Sequence, residues 1–465
     1  MKLKRDLTFF DMTSIVIGAI VGSDIYIASA ITAGLIGPFS IFVWIIAGII
    51  ATILALVFAY CSYYVPKVGG SFAFVSTAFD DFYGFLAGWS MWIAEILALP
   101  VFAITFTSYL GYFFHLSPIQ DILVKGLFLF GLTSVNIIGV KAAGRLNDVL
   151  TIVKLSPLFL LMVVGISFLF QNPSQLSNYS PLAPLGLDNF GTALVLIFWA
   201  YVGFELGTLP ASEVKNPKKT IPRAIITGMI IVTLFYLLTN FVVYGVLNWS
   251  QLSQTNLPLI LVGTALFGAI GATIMAIGAL VSVSGSDEAG ILGTARLSYA
   301  MSIDGLFPKI FSKIHPKYKT PYIALILQGV IAFVLSIFSG ITTLISFSVF
   351  NLAFSFLLVC LSLEILRRKS EKKLHGQTIL PWLGIAICMY LIFSTTTFDK
   401  IIGTIVILAG IPIYVFLSPK TDIKHLKKLF ISEESIFERR FEKKERFLAN
   451  FVSMMHKASK RIRST

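Results

Sequence analysis

Charged side chains are scarce in this sequence. Asp, Glu, Lys and Arg make up only 13% of its 465 residues against 56% hydrophobic, and the mean hydropathy is +0.86. That composition excludes both a soluble globular protein and a disordered chain. Cysteine is nearly absent. Cys61, Cys360 and Cys388 all lie in apolar stretches, and no pair has the close spacing of a metal site or redox motif, so they read as buried thiols. The five histidines are scattered, and neither a phosphate-binding loop, a His/Cys cluster nor a nucleophile triad is present. An enzyme and an ATP-driven pump are therefore disfavoured, and no metal or cofactor is expected. A cleavable leader is not expected. "MKLKRD" runs directly into a long Gly-rich span without a small-residue cleavage site, so the first span is expected to remain as a signal anchor.

What the sequence has is apolar length. Stretches near 9–36, 38–65, 83–114, 122–140, 148–170, 190–210, 222–247, 268–300, 321–339, 341–366, 379–396 and 400–417 each supply the ~20 helical residues that cross a bilayer. The segment 249–267, with a polar start and a proline, reads as an external loop helix. The expectation is an all-α polytopic membrane protein with 12 transmembrane helices.

Basic residues orient the spans, because Lys and Arg in short loops stay on the cytoplasmic side. Alternate loops carry Lys2, Lys4 and Arg5; Lys67; Lys141 and Arg145; Lys215, Lys218, Lys219 and Arg223; Lys309, Lys313, Lys317 and Lys319; and Arg367, Arg368, Lys369, Lys372 and Lys373. In the intervening loops Lys125 and Lys400 are the exceptions. Both termini are therefore expected to be cytoplasmic. Most of the net charge of +13 is this topological signal facing anionic lipid, and it calls for no nucleic-acid partner. The tail 421–465 mixes charge with Phe437, Phe441, Leu448, Phe451 and Met455 near helical spacing, and reads either as an amphipathic surface helix or as a partly disordered basic tail.

Six ionisable residues break the membrane rule: Asp24, Glu95, Lys154, Glu205, Asp287 and Glu288. Each costs about 2.5–3.5 kcal/mol on insertion scales, so such groups usually face a cavity and mark a pathway. The alternative for any one of them is a structural pairing with a neighbouring helix. Lys154 has a second alternative: nine residues from Arg145, it could snorkel to the boundary. Two spans are also interrupted by glycine, the first at Gly18 and Gly22 and the sixth around Gly203 and Gly207 in "WAYVGFELGTLP". Paired interruptions five spans apart point to an inverted-repeat transporter with its substrate at the repeat interface. A small-xxx-small packing face is the alternative for Gly18 and Gly22.

The motifs resemble those of amino acid permeases of the amino acid-polyamine-organocation (APC) superfamily. "GAIVGSDIY" resembles the first-span signature, "VPKVGGSFAFVSTAF" the first cytoplasmic loop, "FWAYVGFE" with "EVKNPKKTIPRAI" the sixth span and its loop, and "ARLSYAMSIDGLFPKIFSKIHPKYKTPY" the end of the eighth span. The resemblance implies a LeuT-type 5+5 inverted repeat plus two helices. The repeats would cover about 9–170 and 190–367 and the extra helices 379–417, within a transporter domain of 1–420. It implies secondary active transport of an amino acid across the cytoplasmic membrane, by proton coupling or exchange. A polyamine or inorganic cation carrier on the same fold is the alternative.

The resemblance also suggests residue roles. The amides of Gly22 and Ser23 would bind the substrate carboxylate at a half-helix terminus, and the carbonyls near Ala200 and Tyr201, by Gly203, would take its ammonium group. Trp199 stands at the aromatic gate position, and Glu205 where exchanging relatives carry a glutamate. Lys154, in "NDVLTIVKLSP", matches the lysine that fills the sodium position in proton-coupled members. Asp24 departs from the family's usual glycine, and Glu95, Asp287 and Glu288 are acidic where many relatives are neutral. This excess of acid suggests a cavity that stabilises positive charge, whether a cationic amino acid, a polyamine, a coupling ion or Lys154 itself, paired with Asp24 or Asp287.

Overall fold

The computed structural model of the chain describes residues 7–67, 69–139, 143–208, 214–370 and 378–417. The expected tail, 421–465, lies outside the described residues, as do the basic segments 1–6, 140–142 and 371–377.

A chain in hydrocarbon must satisfy its backbone polar groups internally, and the apolar runs accordingly fold as helices. Among the described residues there are fifteen α-helices and no strand, with one isolated bridge between Leu7 and Val214. The first apolar run divides into α1 (Phe9–Ile20) and α2 (Asp24–Ile36), followed by α3 (Ser40–Tyr64) and the short α4 (Ser71–Ala78). Next come α5 (Asp81–Leu110), α6 (Pro118–Ile138), α7 (Ala143–Gln171) and α8 (Phe190–Trp199). The remainder are α9 (Pro217–Val246), α10 (Trp249–Ser253), α11 (Pro258–Ile303), α12 (Tyr322–Phe338), α13 (Ile341–Lys369), α14 (Leu380–Ser394) and α15 (Thr397–Leu417). Nine helical stretches of the described residues, one of them the whole of Phe9–Tyr64, are long and apolar enough to cross a membrane, and α12 and α14 are shorter apolar helices. The chain is a multi-pass membrane protein.

Local chemistry sets where these helices start. Thr8 with Asp11, and Ser117 with Gln120, form reciprocal capping boxes at α1 and α6. The Asp80 carboxylate accepts the Tyr83 amide at 3.0 Å and caps α5. Pro217 and Pro258 open α9 and α11, where a missing N–H costs nothing. The 249–267 segment forms a helix as expected, but no loop separates its second half from the eighth apolar run. After α10, α11 runs from Pro258 to Ile303 and turns at Gly268, whose φ of 64° and ψ of −148° are non-helical.

α5 packs against both α11 and α13, α3 packs on α9, and α1 lies against α7 and α9. Small residues bring helices close, as where Gly165 of α7 faces Val242 of α9 and Gly278 of α11 faces Pro157 of α7. Cys61, Cys360 and Cys388 are buried free thiols.

The two interrupted helices meet each other. α1 closes at Val21 in extended backbone, and Gly22 and Ser23 lead into α2. α8 ends at Trp199, and a turn through Gly203 leads to a 3-10 segment, Phe204–Thr208. Gly203 has a φ of +122°, and a Cβ there would lie 2.9 Å from the carbonyl carbon and oxygen of Ala19. Only glycine allows that conformation and that approach together. Of the other two glycines expected at the breaks, Gly18 is helical within α1 and Gly207 lies inside the 3-10 segment.

Candidate functional site

A cavity of about 40 Å³ lies beside the meeting point. Ala19, Ile20 and Asp24 line it from the first interrupted helix, and Trp199, Val202, Gly203, Glu205 and Leu206 from the second. α5 contributes Glu95, Ala98, Leu99 and Phe102, and α11 contributes Ser286 and Gly290. Such a volume holds a few waters, so an amino acid enters only if the surrounding helices move apart.

Asp24 begins α2 and is buried. Its Oδ1 accepts the Gly22 amide at 3.0 Å and its Oδ2 accepts the Tyr236 hydroxyl at 2.7 Å. Tyr236 is fixed in turn by edge contacts with Trp44 and Tyr201, at ring distances of 5.4 and 5.2 Å. The amide expected to hold a substrate carboxylate is thus occupied by the protein's own carboxylate, in a locally closed loop on a free helix start. Ser23 is buried beside it and its hydroxyl has no partner among the described residues. Gly22 packs under Phe102 and Ser286, where a Cβ would lie 2.8 and 3.0 Å from their side chains.

Lys154 of α7 is 2% exposed, which excludes snorkelling. Its Nζ donates to the Gly18 carbonyl at 2.5 Å and to Ser286 Oγ at 3.0 Å, and Ser286 donates onward to the Val21 carbonyl at 2.7 Å. The ammonium group therefore sits on the carbonyl end of α1, where a helix dipole favours a cation. Asp24 is the carboxylate whose field Lys154 feels. The expected pairing with Asp287 does not form: neither Asp287 oxygen has a hydrogen-bond partner among the described residues, and Asp287 does not line this cavity. Glu288 is half-buried on the same helix, within electrostatic reach of Arg296.

Glu95 and Glu205 are both buried and line the same cavity, within electrostatic reach of one another. The Glu205 carboxylate also accepts the Gly203 amide, at 3.0 and 3.1 Å, and so closes the second break much as Asp24 closes the first. Trp199 packs on Phe102 with ring centroids 5.9 Å apart.

Of the residues singled out from sequence, Asp24, Glu95, Trp199, Gly203 and Glu205 come together on one cavity. Gly22, Ser23, Ala200 and Tyr201 lie behind it in the backbone of the two breaks, with the Tyr201 hydroxyl donating to the Trp44 carbonyl at 3.0 Å. Lys154 reaches the cavity only through Ser286, and Asp287 and Glu288 stand apart from it. Tyr236, Ser286 and Phe102 belong to the site and carried no sequence signal, being single members of common residue types in apolar runs.

Two broken helices that converge on a small, mostly apolar cavity holding the carboxyls of Asp24, Glu95 and Glu205 give the arrangement expected of a solute transporter. The chain belongs to the amino acid permease family, whose sequence model matches residues 7–418. It is 28% identical over 441 residues to the branched-chain amino acid permease BcaP of Bacillus subtilis, covering 90% of this chain and 94% of that one. It is 29% identical over 434 residues to the serine/threonine exchanger SteT of the same organism, covering 89% and 96%. The human cystine/glutamate transporter is 28% identical over 431 residues, with 89% and 85% covered.

Proposed function

We propose that this protein is a secondary transporter that carries amino acids across the cytoplasmic membrane by alternating access, driven by protons or by exchange. The observation that carries the reading is the contact of Gly203 with the Ala19 backbone, which sets two broken helices face to face at a shared cavity. Twelve crossings with cytoplasmic termini, arranged as 5+5 inverted repeats plus two helices, fit the positions of the breaks and the alternation of basic loops. Residues 421–465 would follow as a cytoplasmic tail, with lipids and protons as the other partners.

On the substrate, the hydrogen bonds argue against the cationic preference expected from the acids. A cation trap needs free carboxylates, whereas Asp24 is engaged by Gly22 and Tyr236, and Glu205 by the Gly203 amide. We therefore favour a neutral amino acid, in keeping with relatives named for branched-chain amino acids and for serine and threonine. The relatives give no support to the polyamine or inorganic-cation alternative. Counterflow in proteoliposomes loaded with L-leucine, L-serine, L-arginine or putrescine tests this. Label should accumulate with a neutral amino acid, and accumulation with putrescine alone would overturn the reading.

A further inference from the structure

The end of α3 carries Tyr60, Tyr63 and Tyr64, whose spacing places them on one side of the helix. α9 and α13 both pack against α3, and each brings cations to this end of it. The Lys218 ammonium group of α9 stands over the Tyr63 ring, 5.4 Å from its centroid, and Tyr63 meets Tyr64 edge-on at 5.5 Å. On the other side the Cys61 thiol donates to the Val359 carbonyl at 3.8 Å, which sets α3 directly beside α13. Arg367, two turns further along α13, lies within electrostatic reach of Tyr64.

One carboxylate organises the α13 side. Glu364 pairs with Arg367 and with Arg368, each at 2.7 Å. It fixes two guanidinium groups but neutralises only one. Arg368 reaches Glu364 through Nε, and its side chain stays 70% exposed. Lys218 and Lys219 are exposed as well. The adjoining surface is apolar. α14 packs on α3 and α13, its approach is marked by Arg367 Nη1 at 3.5 Å from Thr378 Oγ1, and it leaves Ile379 and Trp382 exposed. Cations, tyrosines and an exposed tryptophan gathered at the ends of neighbouring spans mark the boundary between headgroups and hydrocarbon.

We propose that this patch binds an anionic glycerophospholipid of the cytoplasmic leaflet, its headgroup lying on Tyr63 and Tyr64 between Lys218 and Arg368 and its acyl chains beside α14. The proposal rests on the membrane orientation put forward above and not on the identity of the transported solute. Charge complementarity selects the occupant. Glu364, the acid within the patch, is already paired twice, so the surplus charge is positive and the phosphodiester answers it. A zwitterionic headgroup would bring a further cation among these cations. An acidic protein segment would leave Ile379 and Trp382 uncovered. A diffuse attraction of basic loops to the membrane would make every exposed lysine equivalent, whereas a built site makes Lys218 and Arg368 matter and the exposed Lys309 and Lys313 of another loop not.

The test uses the full chain in detergent, with phosphatidylglycerol titrated in and bound lipid counted by native mass spectrometry. Phosphatidylcholine and inorganic phosphate are the comparison probes. Phosphatidylglycerol should fill one saturable site, and Lys218→Gln and Arg368→Gln should each weaken it about fivefold, the share of one basic residue at a lipid surface. Lys309→Gln combined with Lys313→Gln should leave it unchanged. Lys218→Arg and Arg368→Lys keep the charge and should bind as the wild type does, which separates loss of the site from loss of the fold. Tyr63→Phe should keep the affinity and Tyr63→Ala should lower it, because the ring and not the hydroxyl faces the ammonium group. An equal loss in the Lys309 and Lys313 variant overturns the site, as does phosphatidylcholine bound as tightly as phosphatidylglycerol. Displacement of the lipid by inorganic phosphate at equal concentration overturns the lipid as occupant. The leaflet is read separately in whole cells. Lys313→Cys should react with a membrane-impermeant maleimide only after permeabilisation, the native cysteines being buried. Labelling in intact cells would overturn the leaflet and the orientation together, while the count of bound lipid still decides the site.

Discussion

Tyr236 and Asp24 meet at 2.7 Å, hydroxyl to carboxylate, on the inner face of the first helix break. With the Gly22 amide on the other oxygen, the acid is held from two sides, and this explains how a carboxylate is tolerated deep in an apolar run. Asp24→Gly should free the Gly22 amide and remove a like charge from the place where an amino acid's carboxylate would bind. Affinity for a transported neutral amino acid should rise by about threefold or more, the gain of a modest net hydrogen bond. Equilibrium binding of the labelled amino acid checks this, and weaker binding in the variant would make Asp24 a supporting member of the site.

Tyr236→Phe removes one donor and leaves Asp24 Oδ2 short of a partner. Loss of a buried hydrogen bond to a charged group should cost about 1.5–3 kcal/mol. The thermal transition in detergent should fall accordingly, and Asp24→Asn combined with Tyr236→Phe should fall less than the two single losses added, because the residues share one interaction.

Lys154 occupies the carbonyl end of α1 with its own positive charge. Transport should therefore proceed at full rate in sodium-free buffer, and Lys154→Ala should lose gradient-driven accumulation because the cation that holds the Gly18 carbonyl at the end of α1 is gone. Uptake with and without sodium, and with and without an imposed pH gradient, reads both effects. An absolute sodium requirement in the wild type would contradict the assignment.

Gly203→Ala should be far more harmful than Gly186→Ala. Both glycines have positive φ, +122° and +73°, but a Cβ at Gly203 strikes the Ala19 backbone whereas at Gly186 it meets nothing within 4 Å. The control should lose roughly 1 kcal/mol from backbone strain alone, while Gly203→Ala should also push the two breaks apart and abolish binding. Melting and binding of the two variants, compared side by side, separate strain from contact.

The sequence made the helices legible because hydrocarbon imposes a length and a composition on every crossing. It also exposed the breaks, since Gly22 and Gly203 stand where apolar periodicity fails. α4 and the continuity of α11 through Gly268 were less visible: eight residues of α4 are too few for a periodic signal, and a positive φ at one glycine leaves no mark in composition. The predicted partnership of Lys154 with Asp287 failed for a geometric reason. Ser286 and Asp287 are neighbours, but consecutive helical residues point about 100° apart, so Ser286 meets the ammonium group while Asp287 turns away. Sequence likewise shows neither the Tyr236 hydroxyl that holds Asp24 nor the Gly203 amide that holds Glu205, because both partners are brought in by the fold.

The central claim is that an amino acid binds where the two broken helices meet, and thiol protection at Ala98 tests it most directly. Ala98 lines the cavity from α5, and the three native cysteines are buried and line no part of it. Ala98→Cys in a background lacking those cysteines should be alkylated by a small methanethiosulfonate reagent, and the amino acid found to be transported by counterflow should slow that reaction in proportion to its occupancy. A reaction rate unchanged at saturating concentrations of that amino acid would contradict the account and place the binding site elsewhere.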